Sequence, residues 1–177
     1  MRTIALQVAA IITLIPALTF GQDEVQDPFI VDFLSKWENA RAYTVEFAEA
    51  MPADKYTYKP TEGQRAFNEQ LTHMCGNMIW LSTAFLEGAG LASADAEHPP
   101  AEKEEVIALL NETFEYVEQT VESFDISKIN EEVEFFAGPM SRRKVFFLLM
   151  DHLTHHRGQL AVYLRLNDIT PPRYRGW

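Results

Sequence analysis

Three of the five histidines in this 177-residue chain fall within one short stretch, Met150-Asp151-His152-Leu153-Thr154-His155-His156-Arg157-Gly158-Gln159-Leu160. The stretch lies in an apolar pattern with helical spacing. His152 and His156 are one turn apart, about 40° apart on the helix face, so both imidazoles can point at one ion. That is the spacing of metal ligands. A third candidate ligand, His73, sits about eighty residues earlier in another helical pattern. Three neutral imidazoles from two facing helices suit a divalent ion such as zinc, nickel or iron, and leave coordination positions for water or a small-molecule substrate. Such an ion lowers the pKa of a bound water or a substrate thiol and makes a nucleophile at neutral pH. Inward-facing histidine pairs also occur as core residues hydrogen-bonded to their neighbours, so spacing alone leaves a metal-free polar cluster as the alternative.

The neighbouring positions divide by angle. His155 is turned about 60° from His152 and about 100° from His156, which places it outside the direct ligands in an orienting or packing role. Arg157 and Gln159 are placed to orient ligands or to hold the helix to a neighbouring segment. Asp151 and Glu69 are candidates to accept a ligand N–H. Asn77, Trp80 and Tyr163 are candidate pocket residues, with core packing as their other reading. There is no Ser/His/Asp or Cys/His nucleophilic set, no glycine-rich phosphate loop, and no ordered carboxylate pair of the kind glycosidases use. The lone Cys75, between Met74 and Met78, reads as a small buried residue rather than a nucleophile.

Four amphipathic helices are available to position these residues. The first enters at Asp27-Pro28, with Pro28 near the first turn, where its missing N–H costs least. Ile30, Phe33, Leu34, Trp37, Thr44, Phe47, Ala48 and Met51 then follow the three-and-four spacing of a buried face until Pro52 ends it. The segment from Ala53 to Gln64 has turn chemistry and the length of a long connection. A second helix is expected from Ala66 to Glu87, with Phe67, Leu71, Met74, Met78, Leu81 and Phe85 as its stripe, terminated by Gly88 and Gly90. Beside that stripe runs the row His73, Asn77, Trp80 and Ala84, expected at the edge of the core. His98, next to Pro99-Pro100, reads as a loop residue.

The third helix is expected from Ala101 to Phe124. Glu102, Glu104 and Glu105 favour the positive end of its dipole, and Val106, Leu109, Leu110, Thr113, Val117, Val121 and Phe124 form its buried face. Glu112, Glu115, Glu118 and Glu122 form a solvated face opposite. Asp125 to Pro139 is less regular: Val133, Phe135 and Phe136 fit a short helix or a strand-like turn equally well. Ser141 is the expected N-cap of the fourth helix, whose stripe is Val145, Leu148, Leu149, His152, His156, Gln159, Leu160 and Tyr163. Asn167-Asp168 and Pro171-Pro172 end it. The fold expected is an all-α four-helix bundle, roughly up-down with long connections.

The first residues stand apart from this domain. Arg2, the apolar run from Ile4 to Leu18 and the small residues around Thr19-Phe20-Gly21 form a secretory signal pattern over residues 1–21, leaving residues 22–177 as a single domain. The apolar run is short of the roughly 20 residues needed to span a bilayer. No cysteine follows it, so a lipid anchor is not indicated, and export to the periplasm or the extracellular space after cleavage near Gly21 is the expectation. No stable membrane span is expected after cleavage. Fifteen basic against 26 acidic residues give a net charge of −11, one unit more negative once Arg2 is removed, which argues against nucleic-acid or anionic-membrane partners. With one cysteine there is no intrachain disulfide, so the domain rests on its core.

His152-Leu-Thr-His-His156-Arg157-Gly158-Gln159, followed by Leu164-Arg165 and Pro171-Pro172, resembles the last helix of the DinB superfamily of metal enzymes. The connection Tyr58-Lys59-Pro60, leading to a helix with His73 facing inward, is similar to that family's second helix. The resemblance covers about Phe29 to Pro172. It implies a DinB-like four-helix bundle with a metal on the histidine triad His73, His152 and His156, often assembled as a homodimer. Similar proteins include bacillithiol and mycothiol S-transferases and maleylpyruvate isomerases, in which the metal activates a cofactor thiol. Two features depart from the pattern. Asp168 stands where a glycine often ends the last helix, and the export signal sits poorly with low-molecular-weight thiols, which are chiefly cytosolic. The expectation is an exported, divalent-metal-binding, DinB-like transferase or hydrolase that uses a metal-activated thiol or water. The alternative is a non-catalytic, metal-stabilised binding protein.

Overall fold

The structure is a computed structural model, and it describes residues 27–91 and 100–177. The expected leader, its cleavage site near Gly21 and the loop residue His98 lie outside the described residues. Four long helices form: α1 (Pro28–Ala50), α2 (Phe67–Phe85), α3 (Lys103–Glu122) and α4 (Arg142–Leu166). Single 3-10 turns at Ala53–Lys55 and Ile126–Lys128 lie in the long connections. The irregular stretch before α4 takes the strand-like of its two expected forms. Two-residue strands β1 (Glu132–Val133) and β2 (Met140–Ser141) pair antiparallel, with Val133 opposite Met140.

The four-helix bundle read from the sequence is what forms, and its long connections set the neighbour order. α1 packs on α3 and α4, and α2 packs on the same two helices, so α1 and α2 occupy opposite corners. Hence α2 lies beside α4, which brings His73 to the face that carries His152 and His156.

The helix ends follow local chemistry. Asp27 accepts a hydrogen bond from Phe29 N–H at 2.8 Å and Pro28 occupies the first turn, as expected of an N-cap followed by proline. Ala66 has no capping oxygen. Instead the Glu69 carboxylate reaches back to the Ala66 N–H at 2.6 Å, one half of a capping box. Ser141 is the N-cap residue of α4, as expected, but its hydroxyl makes no capping bond. α2 ends earlier than expected, and its left-handed residue is Glu87 (φ 63°) rather than a glycine. Lys128 at 2.8 Å and Arg142 at 3.4 Å hold the Glu87 carboxylate there. Gly88 serves another need: a Cβ there would run into the Tyr116 hydroxyl. At the end of α4 Asp168 takes the left-handed conformation (φ 61°), and Ile169 N–H closes on Leu164 O at 2.9 Å.

The core is aromatic at its centre. Trp37 stacks on Phe33 (5.6 Å between ring centroids), meets Phe114 at 5.0 Å, and donates its indole N–H to Phe114 O at 3.1 Å. Each fully buried side chain of this size contributes roughly 1.5–3 kcal/mol. Most of the expected stripes are buried, but three apolar positions differ: Leu34, Leu109 and Leu148 are only half-buried, while Phe114, Phe146, Leu153 and Arg157 are inside. α4 touches both α1 and α2, so its buried face is broader than one stripe. Among the described residues no helix is long and apolar enough to cross a membrane.

Candidate metal centre

α2 and α4 bring His73, His152 and His156 together, with one ligand atom from each lying within 4.8 Å of the others. His156 is buried and the other two are half-buried. The imidazole centroids are 4.3 to 5.1 Å apart. The residues between are turned as an α-helix demands. His155 faces out, and Leu153 and Arg157 point into other parts of the core.

The protonation pattern of His156 follows from its neighbours. Gln70 donates through its amide nitrogen to Gln159 Oε1 at 2.8 Å and to the Tyr163 hydroxyl at 3.2 Å. Tyr163 in turn donates to Arg65 O at 2.7 Å. The Gln70 carbonyl oxygen is therefore left to accept, and the Nδ1 of His156 lies 2.8 Å from it. Nδ1 must carry the proton, and the Nε2 lone pair of His156 is free. That lone pair points at the Nε2 of His152, 3.1 Å away.

Two bare imidazole nitrogens do not attract each other. Either a proton on His152 or a cation between the rings must supply the attraction. The Nδ1 of His152 is buried with no hydrogen-bond partner, so no protein group there fixes where its proton sits. The separation itself suits a shared ion: two nitrogens each about 2.0–2.1 Å from a zinc-like ion lie about 2.8–3.4 Å apart at angles between 90° and tetrahedral. The residues present thus fit a divalent metal.

Electrostatics keep the rings neutral. Burial pushes His156 down to about 3 and His152 to about 4, each lowered further by the neighbouring imidazoles and by Arg65. His73 is lowered by burial first and by Arg65 second. Neutral imidazoles are the form that binds metals.

The remaining candidate residues sort themselves around this centre. Gln159 links Gln70 to His155, donating to the Nε2 of His155 at 2.7 Å, and the His155 ring stands edge-on to that of His156 with centroids 4.9 Å apart, so His155 packs beside the centre without offering it a nitrogen. Tyr163 is 2% exposed and anchors the Gln70 amide. Asn77 lies one turn beyond His73, and its buried Oδ1 has no partner. Trp80, expected at the edge of the core, is 41% exposed and packs its ring on Phe85 and Phe135. His73 and Asn77 of the same row lie half-buried at the edge of the core, as expected, while its far end, Trp80 and Ala84, is exposed. Neither Asp151 nor Glu69 accepts a ligand N–H. Asp151 is exposed, and the Glu69 carboxylate is occupied by Ala66 N–H and, at 3.2 Å, by Lys59. Gln70 takes that role instead. The sequence reading missed it, although it stands three residues before His73, one helical turn away. Arg157 holds α4 to α1, donating to Ala40 O and Thr44 Oγ1, both at 3.3 Å. Cys75 is buried, and its burial pushes the thiol up to about 12.

A family model described as the DinB family matches residues 22–175. The protein YjoA of Bacillus subtilis strain 168 is 28% identical over 138 residues, which cover 75% of this chain and 86% of YjoA. The crystal structure of that DinB-like protein has a TM-score of 0.67 at 26% identity, covering 81% of this chain and 97% of the other. A DinB-like protein from Bacillus cereus ATCC 10987 has a TM-score of 0.72 at 16% identity, covering 82% of this chain and 97% of the other, and shares the fold.

Proposed function

The chain belongs to the DinB family, and from that premise we propose that it is a metal-dependent enzyme of transferase or hydrolase type. His73, His152 and His156 hold one divalent first-row ion. The observation that carries this reading is the pair of Nε2 atoms 3.1 Å apart, one of them stripped of its proton by the Gln70 contact. A bound ion supplies a Lewis acid with open positions, able to lower the pKa of a water or a thiol. Gln70, fixed by Gln159 and Tyr163, orients the His156 ring and keeps its metal-facing nitrogen bare. The groove beside His73 admits a substrate to the open side.

Export and dimerisation belong to the same reading. The leader pattern from Arg2 to Gly21 supports export, and the resemblance to homodimeric relatives supports a pair of chains. Mass spectrometry of the protein from its own cells, starting after Gly21, and light scattering of the purified protein test these two parts.

The central test uses cobalt as a spectroscopic stand-in. The cobalt-loaded protein is titrated with 2-mercaptoethanol and, separately, with azide. A sulfur-to-cobalt charge-transfer band and shifted d–d bands are expected, because the three histidines leave positions open. Spectra unmoved by either ligand would mean a closed coordination sphere and a non-catalytic metal protein. With the site shown open, turnover of ester and thiol-transfer substrates should be lost on chelation and in His73→Ala.

A further inference from the structure

The groove that reaches His73 continues well beyond it. It is an open groove of about 910 Å³ along the outward face of α2, with Arg65 at one end, then His73 and Asn77, then the apolar surfaces of Ile79, Trp80 and Leu91. That volume lies within the range of small-molecule sites, which are mostly apolar with a few placed polar groups. Glu69 also borders the polar end, but its carboxylate is bound to Ala66 N–H and Lys59, so the charge offered to a ligand there is that of Arg65. Among the described residues Arg65 forms no ion pair.

Gly76 lies midway along the groove. It sits inside a 19-residue helix, is exposed, and a Cβ built on it would meet nothing within 4 Å. Glycine in a helix interior is less favourable than alanine by about 0.8–1.0 kcal/mol, and no close contact or left-handed conformation calls for it here. What a side chain at position 76 would fill is the groove. The unpartnered Asn77 Oδ1 next to it is a buried acceptor waiting for a donor.

We propose that this groove binds an amphipathic monocarboxylate, its carboxylate at Arg65 and its apolar body over Gly76 against Ile79, Trp80 and Leu91. A hydroxyl or N–H on the ligand would donate to Asn77 Oδ1. This names the substrate class of the reaction proposed above and rests on that reading for its chemistry. The groove itself is built by protein side chains, so binding does not require the metal.

The test is calorimetry on chelator-treated protein with hexanoate, octanoate and decanoate. Affinity should rise roughly fourfold for each methylene that enters the apolar end. Gly76→Leu should fold with an unchanged or higher melting temperature and lose at least tenfold in decanoate affinity, while Gly76→Ala loses far less. Trp80→Ala should flatten the dependence on chain length, and Arg65→Gln should weaken all three ligands by one common factor. Decanoate binding no tighter than hexanoate, or as tight to Gly76→Leu as to the unaltered protein, would overturn the proposal. Octanohydroxamate on the zinc-loaded protein separates the two readings. A zinc-dependent gain over octanoate is expected; its absence with the carboxylate series intact removes the metal reading and leaves the groove.

Discussion

Helix α4 carries two buried polar clusters that differ by one residue in sequence and point to different neighbours. Toward α1, Arg157 gives its N–H groups to Ala40 O, Thr44 Oγ1 and Thr154 Oγ1, all at 3.3 Å, and lays its guanidinium over the Tyr43 ring. Donors there meet acceptors, and the cluster is closed. Toward α2, His156 and His152 turn ring nitrogens at each other, and the Nδ1 of His152 meets nothing. Burial of polar groups is common to both. What separates a site from a scaffold here is the balance of donors and acceptors: the histidine side has lone pairs in excess, whereas on the arginine side the donors are matched by oxygens.

The two clusters should fail in different ways. Arg157→Ala strips hydrogen bonds from the Ala40 carbonyl and Thr44 and leaves a cavity, so urea denaturation should show a loss of about 2–4 kcal/mol. Metal affinity should barely move. A variant that keeps its stability but loses metal would erase the distinction. Gln70→Leu attacks the other side: without an acceptor for its Nδ1 proton, His156 loses its fixed tautomer, and metal affinity should fall roughly 10- to 100-fold. Titration against a competing chelator measures this, and an unchanged affinity would show that Gln70 only packs.

A smaller effect concerns alkaline pH, where neither cluster is involved. Cys75 is pushed up to about 12 and Tyr56 is also raised, both chiefly by burial. Their folded-state pKa values exceed the unfolded ones, so the folded protein holds these protons more tightly. The stability they contribute is complete below about pH 9 and is lost as pH rises toward about 12. Melting temperature should therefore decline from pH 9 upward, and Cys75 should resist thiol reagents at pH 8 until the protein is unfolded. Rapid labelling of the native thiol would contradict its burial. Smallest of all, Lys59→Ala removes an exposed ion pair to Glu69 and should cost roughly 0–1 kcal/mol in denaturation, with metal affinity unchanged.

The helices were legible because their apolar residues repeat at three and four, and the i, i+4 histidine pair was legible because it sits inside such a repeat. Gln70 was not. A polar residue one turn before His73 looks like any other helix position until α4 is placed opposite, and its partners His156 and Gln159 lie 86 and 89 residues away. For Arg157 the sequence leaves two roles open, orienting ligands or tethering the helix, because the acceptors that decide for the tether are backbone and hydroxyl oxygens of α1, which leave no mark in charge patterning. Glycine signals after Phe85 indicated where α2 stops but not which residue turns left-handed, because two cations brought from Lys128 and Arg142 hold Glu87 there. Asp168 was readable, since aspartate tolerates that conformation without help.

The histidine cluster is proposed to hold one divalent metal. Elemental analysis of the protein, purified without added metal or a histidine tag, is the direct test, beside a variant with His73, His152 and His156 all changed to Ala. We expect about one equivalent of a first-row divalent ion in the unaltered protein and none in the variant. No metal in either protein, even after reconstitution, would contradict the claim and make the cluster a packed polar core.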